Sequence, residues 1–201
     1  MAGKLLDITT EPMRKDWQWP FTNAGKIEQT NTGLHVISAM MEAGSCMIAP
    51  AWLDPYGPDI ETARVQSYLG PARVISVAGR NGTISYEELS QKQILPGERI
   101  LLKTRNSDMI SKGKQTQHWT VLSEEAAQLL ADHQVACVGL DYGVTCVDQT
   151  HLPIFQLLLH KSIGLITNLN LTEALPGVYT MHALPWVYHG GVSPCRVVLE
   201  E

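Results

Sequence analysis

The sequence predicts a mixed α/β fold, because short apolar strand-like segments alternate with amphipathic helix-like segments along 201 residues. Hydrophobic residues make up 44% of the chain and charged residues 17%, which suits a globular protein large enough to bury a core. The sequence contains no internal repeat, low-complexity tract or Ser/Gly-rich linker. We therefore expect a single domain over residues 1–201.

Strands are predicted where β-branched and apolar residues cluster between turn residues. In chain order, the predicted strands are 4–8, 34–41, 72–78, 99–103, 135–140, 163–167, 178–183 and 195–199. Leu69-Gly70-Pro71 is predicted to be the turn ahead of the third strand, and Pro96-Gly97 the turn ahead of the fourth.

Helix starts are predicted at Ser85 and Ser123, because each serine stands ahead of carboxylates in a pattern typical of a capping box. The second serine opens onto 126–131, an amphipathic segment. A further helix is predicted over 155–160.

The charge pattern argues against nucleic acid as a partner. Formal net charge is -5, whereas binding to a phosphate backbone needs a clustered basic face. The basic residues are scattered along the chain, as the positions of Arg64, Arg73, Lys103 and Arg105 illustrate.

The apolar segments are too short to span a bilayer, and the N-terminal residues lack the long apolar run of a secretory signal. The four cysteines are widely spaced, without a Cys-x-x-Cys pair, which is typical of reduced thiols in the cytosol. They are Cys46, Cys137, Cys146 and Cys195. We therefore expect a cytoplasmic protein with no membrane partner.

A collinear series of short motifs resembles the family of metal-dependent cyclases and kynurenine formamidases. Each motif is weak alone, but their order covers nearly the whole chain. The motifs are Leu6-Asp7-Ile8-Thr9, Leu69-Gly70-Pro71-Ala72-Arg73-Val74, Gly97-Glu98-Arg99-Ile100-Leu101-Leu102-Lys103-Thr104, Leu122-Ser123-Glu124-Glu125-Ala126-Ala127, Val138-Gly139-Leu140-Asp141, Asn168-Leu169, Ala183-Leu184-Pro185 and Pro194-Cys195-Arg196. The resemblance implies the family's swivelling β/β/α fold with a mixed sheet, and assembly into a homodimer or homotetramer.

The resemblance also implies a metal-binding signature, His-x-Gly-Thr-His-x-Asp-x-Pro-x-His-Phe, which falls on residues 42–53. Gly44 and Pro50 keep their family places, and Ser45 stands for Thr. The six positions that bind zinc or manganese in the family carry other residues here. They are Glu42, Cys46, Ile48, Trp52, Phe155 and Thr167.

The side chains of Ile48, Trp52 and Phe155 offer no N, O or S atom that could coordinate a metal. Trp52 and Phe155 are bulky and are expected to fill the space of the ions. The sequence therefore predicts no metal and no other cofactor, and an apolar, aromatic pocket in place of the metal centre.

The first hypothesis is a metal-independent cyclase, lyase or hydrolase that acts on a small, partly apolar molecule. Glu42 is the candidate acid or base, and Cys46 the candidate nucleophile or donor. Thr167 and His118 are candidates to assist them, since the family loop that contains His118 often approaches the pocket. The expected substrate-binding side chains are Trp19, Phe21, Ile48, Trp52, Phe155 and Thr167.

Two alternatives remain open at this stage. A non-catalytic relative would use its aromatic residues to hold a ligand or to stabilise an oligomeric partner. A residual metal-dependent amide or lactone hydrolase would need ligands among the seven histidines, which show no His-x-x-x-His or His-x-His pairing.

Overall fold

The computed structural model describes residues 3–11, 25–113, 118–143 and 151–201. Its strands are β1 Leu5–Asp7, β2 Gly25–Gln29, β3 His35–Ala39, β4 Cys46–Ile48, β5 Leu69–Ser76, β6 Thr83–Ile84, β7 Arg99–Lys103, β8 Val121–Leu122, β9 Cys137–Leu140, β10 Gly164–Thr167, β11 Gly177–Pro185 and β12 Val192–Glu200. Its α-helices are α1 Tyr86–Ser90, α2 Asn106–Ser111, α3 Glu124–Asp132 and α4 Leu152–His160.

An eight-stranded mixed sheet organises the molecule, in the order β1-β12-β11-β5-β7-β9-β10-β4. Strands β5, β7, β9 and β10 are parallel neighbours, while β11, β12 and β4 run antiparallel to theirs. Strand β12 also pairs with β4, so the sheet closes on itself as a barrel. The prediction of a mixed α/β fold is confirmed.

Closure depends on the two ends of β12. Its first residues pair with β4, where Val192 lies opposite Ile48, and its last residues pair with β1, where Glu200 lies opposite Leu5. On its other edge β12 pairs with β11. The signature segment of residues 42–53 thus contains the strand that closes the barrel.

Apolar side chains form two clusters on opposite faces of the sheet. One fills the barrel and includes Met47, Ile166 and Val197. The other lies between the sheet and helices α1, α3 and α4, and includes Cys46 and Ile48. This division follows from the alternation of side chains along a strand. Both former metal positions of β4 therefore face the helices.

The expected turn at residues 69–71 is wrong, because β5 already begins at Leu69. Gly70 takes a φ of +106°, which glycine adopts without steric cost, and Met181 and Thr180 of β11 pair opposite Gly70 and Pro71. At this end β5 has only β11 as a partner, since β7 joins at Arg73. A proline is tolerated in such a position.

Other strand predictions shift at their ends or pair differently. The segment predicted as 34–41 forms β3, which pairs with β2 in a separate two-stranded sheet. The helix predicted from residue 155 begins at Leu152, with Pro153 in its first turn, where a missing N–H costs no helical hydrogen bond. Strands β2, β4, β6 and β8 and helix α2 were not predicted.

The two predicted serine caps are confirmed, but neither forms a reciprocal capping box. Ser85 accepts from the Glu88 N–H at 3.3 Å, and Ser123 accepts from the Ala126 N–H at 3.1 Å. Glu88 does not return the bond to Ser85, because its carboxylate accepts from the main-chain N–H groups of Ala78 and Gly79 instead. Ala126 has no side chain that could return one.

Within the described ranges, no helix is long and apolar enough to cross a membrane. The described cysteines, Cys46, Cys137 and Cys195, are buried free thiols. Cys146 lies outside the described residues.

Candidate functional site

A buried thiol–hydroxyl pair joins β4 to β10 at the centre of the former metal positions. The antiparallel register places Cys46 opposite Thr167, and Cys46 Sγ lies 3.1 Å from Thr167 Oγ1. Both residues are fully buried. The contact links two positions that the sequence identified separately, and it satisfies the threonine hydroxyl inside the core.

An aromatic block occupies the space beside this pair. The Phe155 ring of α4 is fully buried and meets Trp52 edge-on, with ring centroids 6.5 Å apart. Tyr142 meets the same phenyl ring from another side at 6.2 Å. Edge-to-face geometry at these distances is favourable for aromatic pairs. Ile48 is also fully buried.

Asn168 fixes the loop that contains Glu42. Its Nδ2 donates to the carbonyls of Glu42 and Gly44 at 2.9 and 3.0 Å, and its own carbonyl accepts from Ser45 Oγ at 2.9 Å. Asn168 adopts a φ of +58° that asparagine tolerates better than most residues. A Cβ at Gly143 would lie 2.3 Å from Asn168 Oδ1, so this position requires glycine. Glu42 itself is half-buried.

Tyr188 is a site residue that the sequence analysis missed. Its hydroxyl donates to the Val192 carbonyl, and the side chain is partly buried. Burial raises the pKa of Tyr188, and negative charge on Glu42 or Cys46 raises it further. No motif marks Tyr188 in the sequence, because its proximity to Glu42 and Cys46 results from the pairing of β12 with β4.

The other predicted site residues are His118, Trp19 and Phe21. His118 lies exposed in the loop ahead of β8, where its carbonyl accepts from Arg105 Nη2 at 3.2 Å. Its neighbour Trp119 packs against the helix-side core. Trp19 and Phe21 lie outside the described residues.

Asp141 forms a buried hydrogen-bond centre behind the site. Its carboxylate accepts from the main-chain N–H groups of Thr104 and Ser107 at 2.7 and 3.2 Å, and from Asn106 Nδ2 at 3.2 Å. The Thr104 and Ser107 hydroxyls donate as well. Burial raises the pKa of Asp141 to about 6, although these hydrogen bonds oppose the rise. These hydrogen bonds hold Asp141 in place and thereby position the neighbouring residue Tyr142.

A second cluster of titratable groups lies outside the former metal positions. His189 Nδ1 is 3.1 Å from Asp59 Oδ2 and 2.9 Å from Glu61 Oε2. These atoms are close enough together to hold a cation. They also fit one protonated imidazole shared by two carboxylates, and His189 and Glu61 are exposed.

This cluster predicts a pH-dependent contact between the loops of Asp59 and His189. The hydrogen bond to Asp59 and the charge of Glu61 raise the pKa of His189 above its ordinary 6.5. The contact should therefore stabilise the fold fully below pH 6.5 and be lost as pH rises through the raised value. NMR titration of the His189 ring should show the raised pKa, and His189→Gln should remove this pH dependence of unfolding. An unshifted titration would contradict the expectation.

The residues at the former metal positions do not fit a divalent cation. Zinc needs imidazole, thiolate or carboxylate donors converging at about 2.0–2.3 Å. Ile48, Trp52 and Phe155 supply none. Cys46 and Thr167 are hydrogen-bonded to each other in the core. Even with the Glu42 carboxylate, one thiol and one hydroxyl leave the coordination shell incomplete.

Comparison with known proteins identifies the relatives of this chain. Residues 6–145 match the family model described as Putative cyclase. A kynurenine formamidase of Salinibacter ruber is 29% identical over 193 residues, covering 94% of this chain and 90% of the relative. Cyclase-like protein 3 of Oryza sativa subsp. japonica is 29% identical over 149 residues, covering 71% of this chain and 55% of the relative.

Solved structures share the fold. A potential metal-dependent hydrolase with cyclase activity superposes with a TM-score of 0.86 at 24% identity, covering 98% of both chains. Isatin hydrolase A from Ralstonia solanacearum superposes with a TM-score of 0.73 at 19% identity, covering 98% of this chain and 91% of that one. The predicted fold is thereby confirmed.

Proposed function

This chain belongs to the cyclase family, and from that premise we propose that it is a metal-independent enzyme acting on a small, partly apolar carbonyl compound. The proposal is supported by the thiol–hydroxyl pair and the aromatic block, which lie at the positions that align with the family's metal donors. The relatives named as kynurenine formamidases and isatin hydrolases support hydrolysis as the reaction, of a formamide or a cyclic amide.

Glu42 is the proposed general base. It is the carboxylate among the six former metal positions, and hydrogen bonds from Asn168 fix its main chain. Its carboxylate takes a proton from water while the water oxygen adds to the substrate carbonyl. The C–N bond then breaks, the nitrogen takes the proton from Glu42, and the products are an amine and a carboxylic acid.

The other residues of the site have supporting roles in this proposal. His118 is the further catalytic candidate, for proton transfer. Cys46, the other candidate from the sequence, is fully buried and hydrogen-bonded to Thr167, so its proposed role is to position the strands beside Glu42. Trp52, which is partly buried against the core, is the proposed contact for the apolar part of the substrate. Ile48, Phe155 and Thr167, which the sequence placed with it, are fully buried and support Trp52 as core. Trp19 and Phe21, outside the described residues, complete the proposed substrate-binding set.

The test is hydrolysis of N-formyl aryl amines and of isatin by protein treated with a chelator. Glu42→Gln removes the base without changing side-chain size and is expected to lower kcat by at least about 100-fold. Glu173→Gln, at an exposed carboxylate, serves as the matched control and should leave kcat unchanged. Equal activity of Glu42→Gln and the unmodified protein would exclude Glu42 as the base.

A non-catalytic, ligand-binding or oligomer-stabilising role is the second candidate, favoured by one observation. Phe155, Ile48 and Cys46 are fully buried, so the former metal positions are packed as core. In that case, the unmodified protein would show no turnover of any of these substrates, and Glu42→Gln would make no difference.

We also propose a homodimer or homotetramer, supported by an exposed apolar run near the end of β11. Leu184 is 56% exposed, Trp186 60% and Val187 71%, and such a run is typical of surfaces that are covered on association. Molar mass from light scattering tests this proposal. A monomeric mass at micromolar concentration would contradict it.

A further inference from the structure

A small cavity at the far end of β4 from Glu42 is separate from the proposed catalytic groups. Its volume is about 200 Å³, and it lies between the turns 50–52 and 65–68 and the last turn of α4. Much of the lining is apolar, with Pro50, Pro58 and Ala63 beside the edges of Leu159 and Ile163. An engineered apolar cavity of about 150 Å³ takes up benzene, so this space suits a single ring or a branched alkyl group.

Tyr68 and Gly164 shape one wall. The Tyr68 ring is buried, and a Cβ on Gly164 would lie 2.9 Å from its Cε1 atom. Ala136 O lies 3.2 Å from the same point, so this wall is closely packed. The cavity is therefore bounded by fixed core groups on this side.

Polar groups concentrate at the mouth, where Arg64, Thr62, Ser67 and Ser162 line the cavity. Arg64 is exposed, and within the described part of the chain its guanidinium forms no ion pair or hydrogen bond. The neighbouring carboxylates of Asp59 and Glu61 are engaged by His189. An uncompensated cation thus stands at the entrance of an apolar cavity in a protein of net charge -5.

We propose that this cavity binds a small monocarboxylate, with its ring or branched chain against Ala63, Leu159 and Ile163 and its carboxylate on Arg64. A guanidinium binds carboxylate through two parallel hydrogen bonds, which fixes orientation as well as affinity. A neutral ligand of the same shape gains only the apolar contacts. The proposal does not depend on catalysis at Glu42.

The experiment measures binding of benzoate, and of benzyl alcohol as a neutral probe of similar size, by NMR titration of the whole chain. Saturable benzoate binding is expected to weaken at least about tenfold in Arg64→Met, since the charged hydrogen bonds are lost. Binding of benzyl alcohol should change less than twofold. Arg80→Met is the matched control at another exposed arginine and should bind benzoate as the unmodified protein does.

A second variant tests the apolar part of the site. Ala63 is half-buried at the cavity, and Ala63→Leu is expected to abolish binding of both probes by occupying the space, with the unfolding temperature checked in parallel. The proposal is overturned if benzoate does not bind saturably, if Arg64→Met binds it equally well, or if a folded Ala63→Leu retains both probes.

Discussion

Replacing Phe155 with alanine is expected to lower the free energy of unfolding by about 3–5 kcal/mol. The phenyl ring is fully buried and touches Trp52 and Tyr142 edge-on, so its removal loses apolar burial and both ring contacts and leaves a cavity. Chemical denaturation at neutral pH, with the dependence on denaturant compared between variants, measures the loss.

Phe155→Leu provides the control at the same position, because it keeps most of the apolar volume. It should cost less than half as much as the alanine variant. A loss below about 1 kcal/mol in Phe155→Ala would mean that this ring is not structural core. The former metal position would then be loosely packed and available to a ligand.

Replacing Asp141 with alanine is expected to lower the free energy of unfolding at pH 7 by at least about 3 kcal/mol. Three buried donors are left without an acceptor, and each costs about 1–3 kcal/mol. The main-chain N–H groups of Thr104 and Ser107 and the Asn106 amide all lose their acceptor. Asp141→Asn should cost much less, because its carbonyl can still accept from the two main-chain groups.

The exposed Asp108 of α2 provides the matched control, and Asp108→Ala should cost less than about 1 kcal/mol. Equal stability of Asp141→Ala and the unmodified protein would contradict the structural role of the network.

Asp141 also predicts how stability changes with pH. Burial raises the pKa of Asp141 from its ordinary 3.8 to about 6, so the folded state binds the proton more tightly than the unfolded state does. Its contribution to stability is largest below pH 3.8, falls as pH rises to about 6, and is constant above that; the total change is about 3 kcal/mol. The free energy of unfolding of the unmodified protein relative to Asp141→Asn, measured across this range, should show this fall.

The parts of the fold that were predictable are those set by local pattern. The strand 99–103 and the caps at Ser85 and Ser123 depend on neighbouring residues alone. Strand β4 was missed because Cys46–Ile48 is three residues long, too short to show a strand period, and its partners β10 and β12 lie far along the chain.

The same limit applies to the site. The register of Gly44 and Pro50 was enough to align Cys46, Ile48 and Trp52 with the metal-binding positions of the family signature. Which site residues touch each other depends on the tertiary structure. The Cys46–Thr167 hydrogen bond and the Trp52–Phe155 contact therefore could not be predicted from the sequence. No sequence pattern pointed to Tyr188.

Metal content tests most directly our proposal that the residues at the family's metal positions bind no metal. The His189→Gln variant is used because it removes the imidazole of the surface cluster with Asp59 and Glu61, which could itself hold a cation. After exposure of this variant to zinc and manganese and removal of free ions, elemental mass spectrometry should find far less than one ion per chain. One ion retained per chain would contradict the claim, because a divalent cation would then be bound by residues other than the surface cluster.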